Sequence, residues 1–499
     1  MPEQLVQTFY KSLKKEWKIA FLTSILVGIF THLVVFTKYL PNHDGVIMTY
    51  SQQLNLDAGR FFLGPASWIS SKFDISLIAG SLSIFYLALL AVCLVELFQI
   101  RKLFSILFVS SLVVTFPTVP SVFSYMFTAD AYFLGYLLSG VAVLWTAKRW
   151  WGIFPGILLF YFGVGIYQAI LPFTLSIVTV YIISLVLRKV EWKTVVIELA
   201  KQIGLVVSGM ALYMATFLIY RSRTPIENSY QGLDEVGKLD GGFLDTLIKG
   251  RDQFVDFFYG GFFSDIPLNA FTIFNVVVTL TLIYFIVFWI VRGNLIQGIL
   301  ALLGVILIPM FTFILNFVSP GVIYHSLMLF GLIGIYLVVI LFLDQLTKEK
   351  WSAWITVLVL AVTIYNFSLI ANVSYLHMQL RHEKALSLTT RMVSTFESHP
   401  EFSKEREIYI VGNYRQKSRL SNQFKYKIPP LAGIKEENIT VFNYQLLTFM
   451  KTNLGLESPI AHSSVMKEIT ATEEFADMPV WPAEGSLQLI DEVLVLKLN

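Results

Sequence analysis

Eleven long apolar stretches set the terms on which this chain can fold. They fall near residues 19–37, 74–99, 103–120, 128–147, 151–168, 169–187, 197–220, 268–291, 295–317, 322–344 and 351–373. About 20 apolar residues in a helix cover the roughly 30 Å hydrocarbon core of a bilayer. Lipid offers the backbone no hydrogen-bond partner, so such stretches must satisfy their N–H and C=O groups internally, as helices. The expected fold is a polytopic α-helical membrane protein with about eleven transmembrane helices. Composition agrees, since 14% of the 499 residues are charged where a soluble domain carries about 25%. Gly163, Gly165 and Pro172 interrupt one long apolar run and mark the break between the fifth and sixth segments.

The net charge of +3, without any basic tract, excludes nucleic acid as a partner and leaves membrane lipids as the surroundings. Cys93 is the single cysteine and lies inside an apolar run, so no internal disulfide forms. The Lys-rich start leads into a long apolar segment with no small-residue cleavage site, unlike a cleavable signal. The sparing use of Arg against Lys, with one Cys, points to a bacterium.

Lys and Arg fix the expected orientation. Lys11, Lys14, Lys15 and Lys18 precede the first segment; Arg101, Lys148, Arg188, Arg292 and Lys348 follow the even-numbered ones. The N-terminus is therefore expected in the cytoplasm and the long connections outside the bacterial cell membrane. These are a loop at 38–73, a polar loop at 221–267, a turn at 319–321 and the tail. Residues 1–373 are expected to form the transmembrane domain. Residues 374–499 are expected to form a small extracytoplasmic α/β domain, with a polar amphipathic stretch at 379–397, strands at 407–412, 439–442 and 493–498, and a helix at 444–454. That tail shows no metal-ligand spacing, glycine-rich loop or nucleophile elbow, and suits a scaffold or acceptor-docking role.

The chemistry-bearing candidates gather on the expected outer side. Asp44 follows the first segment, and Val46, Ile47, Tyr50 and Leu54 share one helical face after it, which predicts an interfacial helix with Asp44 at its N-terminus. Asp44 is then either that helix's cap or a catalytic carboxylate. Asp130, at the outer end of the fourth segment, has the same two readings, since ionisable groups in spans are costly and usually face a cavity or partner. Arg60, Arg221, Arg223, Lys238 and Arg251 are candidate phosphate ligands, because a guanidinium fork donates two hydrogen bonds at once. For Arg221 and Arg223 the alternative is balance by the eight acids of the 221–267 loop. His43, Asp57, Tyr167, Gln168, Tyr324 and His325 are candidate lining residues.

Asn42-His-Asp-Gly45, Asp57-Ala-Gly-Arg-Phe-Phe62 and Thr128-Ala-Asp-Ala-Tyr132 resemble motifs of membrane glycosyltransferases of the GT-C class. More narrowly, they resemble the Gtr serotype-conversion glucosyltransferases that decorate cell-surface polysaccharides such as O-antigen. The resemblance covers roughly the first 220 residues in motif and the remainder in topology. It implies an inverting transfer of glucose or a related hexose from a polyprenyl-phosphate donor to a cell-surface glycan acceptor. It also implies a flippase and a donor-synthesising glycosyltransferase upstream. Asp44 would be the general base, Asp130 a second catalytic carboxylate, and Arg60 with an outer-loop cation would neutralise the departing phosphate. Many GT-C enzymes carry two adjacent acids in the first loop, whereas His43 stands beside Asp44 here, so no cofactor and no metal are expected. A flippase for a lipid-linked glycan is the first alternative, although no repeat between halves is visible. A polysaccharide polymerase or ligase is the second, although the 221–267 loop is net acidic.

Overall fold

The computed structural model describes residues 1–224, 242–292, 295–319, 321–346, 350–414, 420–436, 438–439 and 443–499. Among these, ten helices are long and apolar enough to cross a membrane, and a shorter apolar helix at Trp150–Ile166 makes an eleventh segment. The chain is a multi-pass helical membrane protein. Lys238, Pro320 and residues 440–442 of the strand expected at 439–442 lie outside the described residues.

An exposed amphipathic helix, α1 (Pro2–Ser12), leads into α2 (Lys15–Thr37). After the first loop and a short α3 (Leu63–Ser67) come α4 (Ser76–Phe98), α5 (Leu103–Thr115), α6 (Thr118–Phe123) and α7 (Met126–Lys148). Small residues let α2 and α4 approach closely: a Cβ on Gly28 would sit 2.8 Å from Ile84, and one on Gly80 2.2 Å from the Phe36 ring. At the end away from the first loop, Glu96 is held by Lys14 Nζ and Trp17 Nε1, both at 2.7 Å, and by Lys148. A carboxylate at 6% exposure is tolerable there because three donors replace its hydration.

Helix length builds the cavity. α8 (Ile153–Ile166) and α9 (Ile170–Leu187) form a hairpin, and α10 (Trp192–Arg223) follows it. With its leading 3-10 turn, α8 amounts to 17 residues against 23 in the neighbouring α7, so the hairpin's turn stops about 9 Å short of where α7 reaches. α10 has 32 residues and overshoots it. The expected break between segments five and six thus forms a recessed floor, with α7 and α10 rising as walls. Non-helical backbone at such depth is tolerated where it lines a cavity.

α11 (Phe243–Tyr259), α12 (Ala270–Val291), α13 (Leu295–Thr312) and α14 (Leu315–Val318) complete the far side. A 3-10 segment at Ser326–Leu332 then feeds α15 (Ile333–Gln345), buried from Ile333 to Leu343 as the central element.

The interfacial helix expected after Asp44 does not form. Only one 3-10 turn, Gly45–Ile47, is present. Residues 49–51 instead pair with 72–74: Ser51 N–H donates to Lys72 O and Asp74 N–H to Thr49 O, both at 2.9 Å, with Tyr50 and Phe73 in a β-bridge. Gln53 takes φ +54°, is buried, and its Nε2 donates to Phe127 O at 3.3 Å. Tertiary partners displaced the amphipathic periodicity.

The last membrane helix and the polar stretch after it are one element, α16 (Lys350–Glu397), 48 residues that run across position 373. Beyond it lie β1 (Ile408–Val411), α17 (Ser421–Lys425), α18 (Asn443–Leu454), α19 (Ser463–Ile469), α20 (Glu473–Asp477), β2 (Leu487–Ile490) and β3 (Val493–Lys497). The strands form a sheet ordered β1-β3-β2, with β1 parallel to β3 and β2 antiparallel to it. Met392 and Phe396 of α16 pack into a small core with Ile408, Leu447 and Leu494, which ties the sheet to the end of the last membrane helix. β1, β3 and α18 match the expected elements; β2 is additional.

Candidate active site

The first loop organises itself around Asn42. Its Oδ1 accepts hydrogen bonds from the backbone N–H of Asp44 at 3.0 Å and of Gly45 at 2.7 Å. Asn42 therefore does the local capping, and the Asp44 carboxylate makes no capping bond. The capping reading of Asp44 therefore falls; its side chain, 43% exposed, reaches His43 Nε2 at 3.5 Å and lines a cavity of about 550 Å³. The volume falls in the range of small-molecule sites, roughly 300–1,000 Å³.

The segment 57–62 is docked residue by residue onto the cavity floor. Tyr220 Oη donates to Asp57 at 2.7 Å, and Gln168 Nε2 donates to Ala58 O at 2.6 Å and to Tyr213 Oη at 3.0 Å. Gly59 has φ +69°, and a Cβ there would lie 2.3 Å from Tyr213 Oη, so only glycine fits. Phe62 N–H donates to Gly165 O at 2.9 Å. This anchoring presents Arg60 to the cavity: its Nη1 donates to Tyr132 Oη at 3.1 Å, and its guanidinium lies 5.3 Å from the Tyr167 ring centre. Tyr132 and Tyr167 are stacked, 4.1 Å apart and 5° from parallel. The cation rests on a rigid aromatic shelf, an attractive arrangement for a guanidinium.

The cavity has two chemically different ends joined by an apolar wall. Arg60 and its tyrosines make one end. Asp44, His43, His325, Lys435 and Glu436 make the other. Met210, Met214 and Phe217, which follow one face of α10, and Leu315 and Val318 of α14 supply the apolar lining. Burial, and next the Lys435 charge, hold the His325 imidazole below its ordinary value, which favours the neutral ring.

Six residues expected from sequence therefore line one cavity: His43, Asp44, Arg60, Tyr167, Gln168 and His325. Asp57 serves the docking of the loop. Arg221 and Arg223, in the last turn of α10, are not among the lining residues, nor is Arg251, which pairs with Asp252. Tyr324 is half-buried and accepts from Leu315 N–H at 2.9 Å. Asp130 is 1% exposed and lies behind the wall, near enough to Asp74 for the two carboxylates to repel. Tyr132, which closes the Thr128-Ala-Asp-Ala-Tyr132 motif without being singled out there, and Tyr213, Lys435 and Glu436 are further lining residues; the last three carry no local sequence signal. Tyr213 sits among dozens of aromatics, and the tail pair lies some 390 positions beyond Asp44. No group of three or more His, Cys, Asp or Glu placed to hold a metal occurs among the described residues.

Residues 33–342, more than half of the chain, match the family described as glucosyl transferase GtrII. This chain belongs to the glucosyl transferase GtrII family. The match contains Asp44, Arg60, Tyr132, Tyr167, Gln168 and His325, so most of the cavity belongs to the GtrII region, and the family assigns the chain to the glucosyltransferases. Lys435 and Glu436 fall outside it. No curated protein and no solved structure matches this GtrII member.

Proposed function

We propose that this protein transfers glucose or a related hexose from a polyprenyl-phosphate donor to a cell-surface glycan, on the outer face of a bacterial cell membrane and with inversion. The observation that carries the reading is the pairing of an uncapped carboxylate, Asp44, with an aromatic-seated cation, Arg60, in one cavity bearing an apolar wall. The Lys14, Lys148 and Arg101 cluster at the opposite end supports a cytoplasmic N-terminus by the positive-inside rule. The donor's prenyl chain lies along Met210, Met214 and Phe217, and its phosphate binds Arg60.

In the reaction the acceptor hydroxyl oxygen attacks the anomeric carbon as Asp44 removes its proton. The bond from that carbon to the phosphate oxygen breaks, and the electron pair leaves with polyprenyl phosphate. Arg60 stabilises the charge that grows there. A single displacement inverts the anomeric configuration. These residues need no metal or cofactor to perform the step. A flippase and an enzyme that loads the prenyl phosphate supply the donor, and residues 374–499 act as an extracytoplasmic scaffold.

Purified protein should release polyprenyl phosphate only when polyprenyl-phosphate glucose and an acceptor oligosaccharide are both present. Asp44→Asn should lower turnover by about 10²-fold or more, the usual scale of a positioned general base. Normal glycan decoration by a well-expressed Asp44→Asn protein would remove Asp44 from that role. Movement of labelled lipid across vesicles without sugar transfer would favour a flippase.

A further inference from the structure

A short piece of the tail, well beyond the GtrII match, completes the cavity at the Asp44 end. Residues 431–436 are fastened to the membrane bundle through the backbone of Ala432, Gly433 and Glu436. Ala432 N–H donates to Ser326 Oγ at 2.7 Å, and Ala432 O accepts from Ser121 Oγ at 3.0 Å and Ser124 Oγ at 3.2 Å. Arg381 of α16, 3% exposed, donates to Gly433 O at 2.8 Å and Glu436 O at 2.9 Å. Gly433 itself has φ +75°, and a Cβ there would lie 3.0 Å from Asn42 Nδ2, the side chain that shapes the Asp44 turn. The segment is built into the wall of the site.

Its side chains carry unspent hydrogen-bonding capacity. Glu436 Oε2 is buried without a hydrogen-bond partner among the described residues; Arg381 Nη1 is 3.7 Å away. His43 Nδ1, across the same end of the cavity, is also buried and without such a partner. Buried polar atoms normally find partners, so orphans facing a cavity point to a ligand that supplies them. One is an acceptor, one is an imidazole nitrogen that can donate or accept, and the exposed Lys435 adds an ammonium donor. Hydroxyl groups, which donate and accept, satisfy all three. A phosphate does not suit this end, because Asp44 and Glu436 would repel it.

We infer that Lys435 and Glu436 bind the acceptor glycan, hydrogen-bonding its hydroxyls so that one of them is set against Asp44. This rests on the proposed glycosyl transfer. The test uses the purified full chain with polyprenyl-phosphate glucose and oligosaccharides released from the host's own surface polysaccharide. For Glu436→Gln, and separately for the exposed Lys435→Ala, the acceptor KM should rise about ten-fold relative to the donor KM, the worth of one charge-assisted hydrogen bond. Arg60→Ala should raise the donor KM instead. Equal shifts of both KM values in the tail variants, or none, would overturn the assignment. A wild-type protein that transfers no glucose would instead overturn the underlying reading, so the two failures are distinguishable.

Discussion

At the scale of single residues, the informative exchange is between Asn42 and Asp44. Both are good capping residues, and sequence alone allows either to hold the turn. Asn42 takes the task, and the carboxylate two positions on is left for the cavity. Asp44 and Arg60 stand out in sequence because charges are rare in so apolar a chain. Lys435 and Glu436 do not, because nothing near residue 435 records that it folds back against residue 44. Asp74 shows the reverse case, an acid hidden in a loop that the sequence does not distinguish. Burial, and next the charge of Asp130, push its carboxyl from 3.8 up to about 7. Between those values the folded protein keeps a proton that the unfolded chain has released. The stabilising effect is complete below 3.8 and is lost as pH rises through about 7. Asp74→Asn removes the ionisation, so its thermal midpoint in detergent should gain on the parent's as pH rises from about 4 to about 7. A constant difference across that range would show that Asp74 does not titrate there.

At the scale of elements, hydrophobic length was the readable quantity and packing the unreadable one. All eleven apolar segments appear, and the glycine-proline interruption fell where α8 turns into α9. The segment after Asp44 has helical periodicity yet pairs as extended chain with residues 72–74, because an isolated short helix is marginal and contacts with 72–74 and Phe127 fix the extended form instead. The boundary of the tail was blurred for a related reason: α16 simply continues from its apolar half into its polar half. The 431–436 segment is an element defined almost entirely by its partners, and it depends on one backbone conformation. Gly433→Ala introduces a side chain at φ +75° with Ser124 Oγ 2.0 Å from the new Cβ. The expected cost is roughly 1–3 kcal/mol, read as a lowered thermal midpoint, together with a raised acceptor KM from displaced Asn42. An unchanged midpoint and KM would mean that the segment is not held as described.

At the scale of the whole molecule, the design separates by end: a charged anchor of Glu96, Lys14 and Lys148 at one, the cavity and the tail's sheet at the other. In a Cys93→Ala background, a cysteine at the exposed Glu484 should react with an impermeant maleimide on intact cells. One at the exposed Lys189 should react only after the membrane is opened. The opposite pattern would invert the proposed topology. The short α8–α9 hairpin then gives the molecule its particular use of the bilayer. In the proposed reaction a glycan arrives from water and an isoprenoid from lipid, and they can react only where both media reach. A floor about 9 Å below the rim makes the protein a dent in the membrane surface. On the proposed reaction, the isoprenoid lies beside the reacting sugar rather than beneath it. Once its phosphate is free, the spent carrier can slide away sideways past Met210 and Met214 without ever entering water.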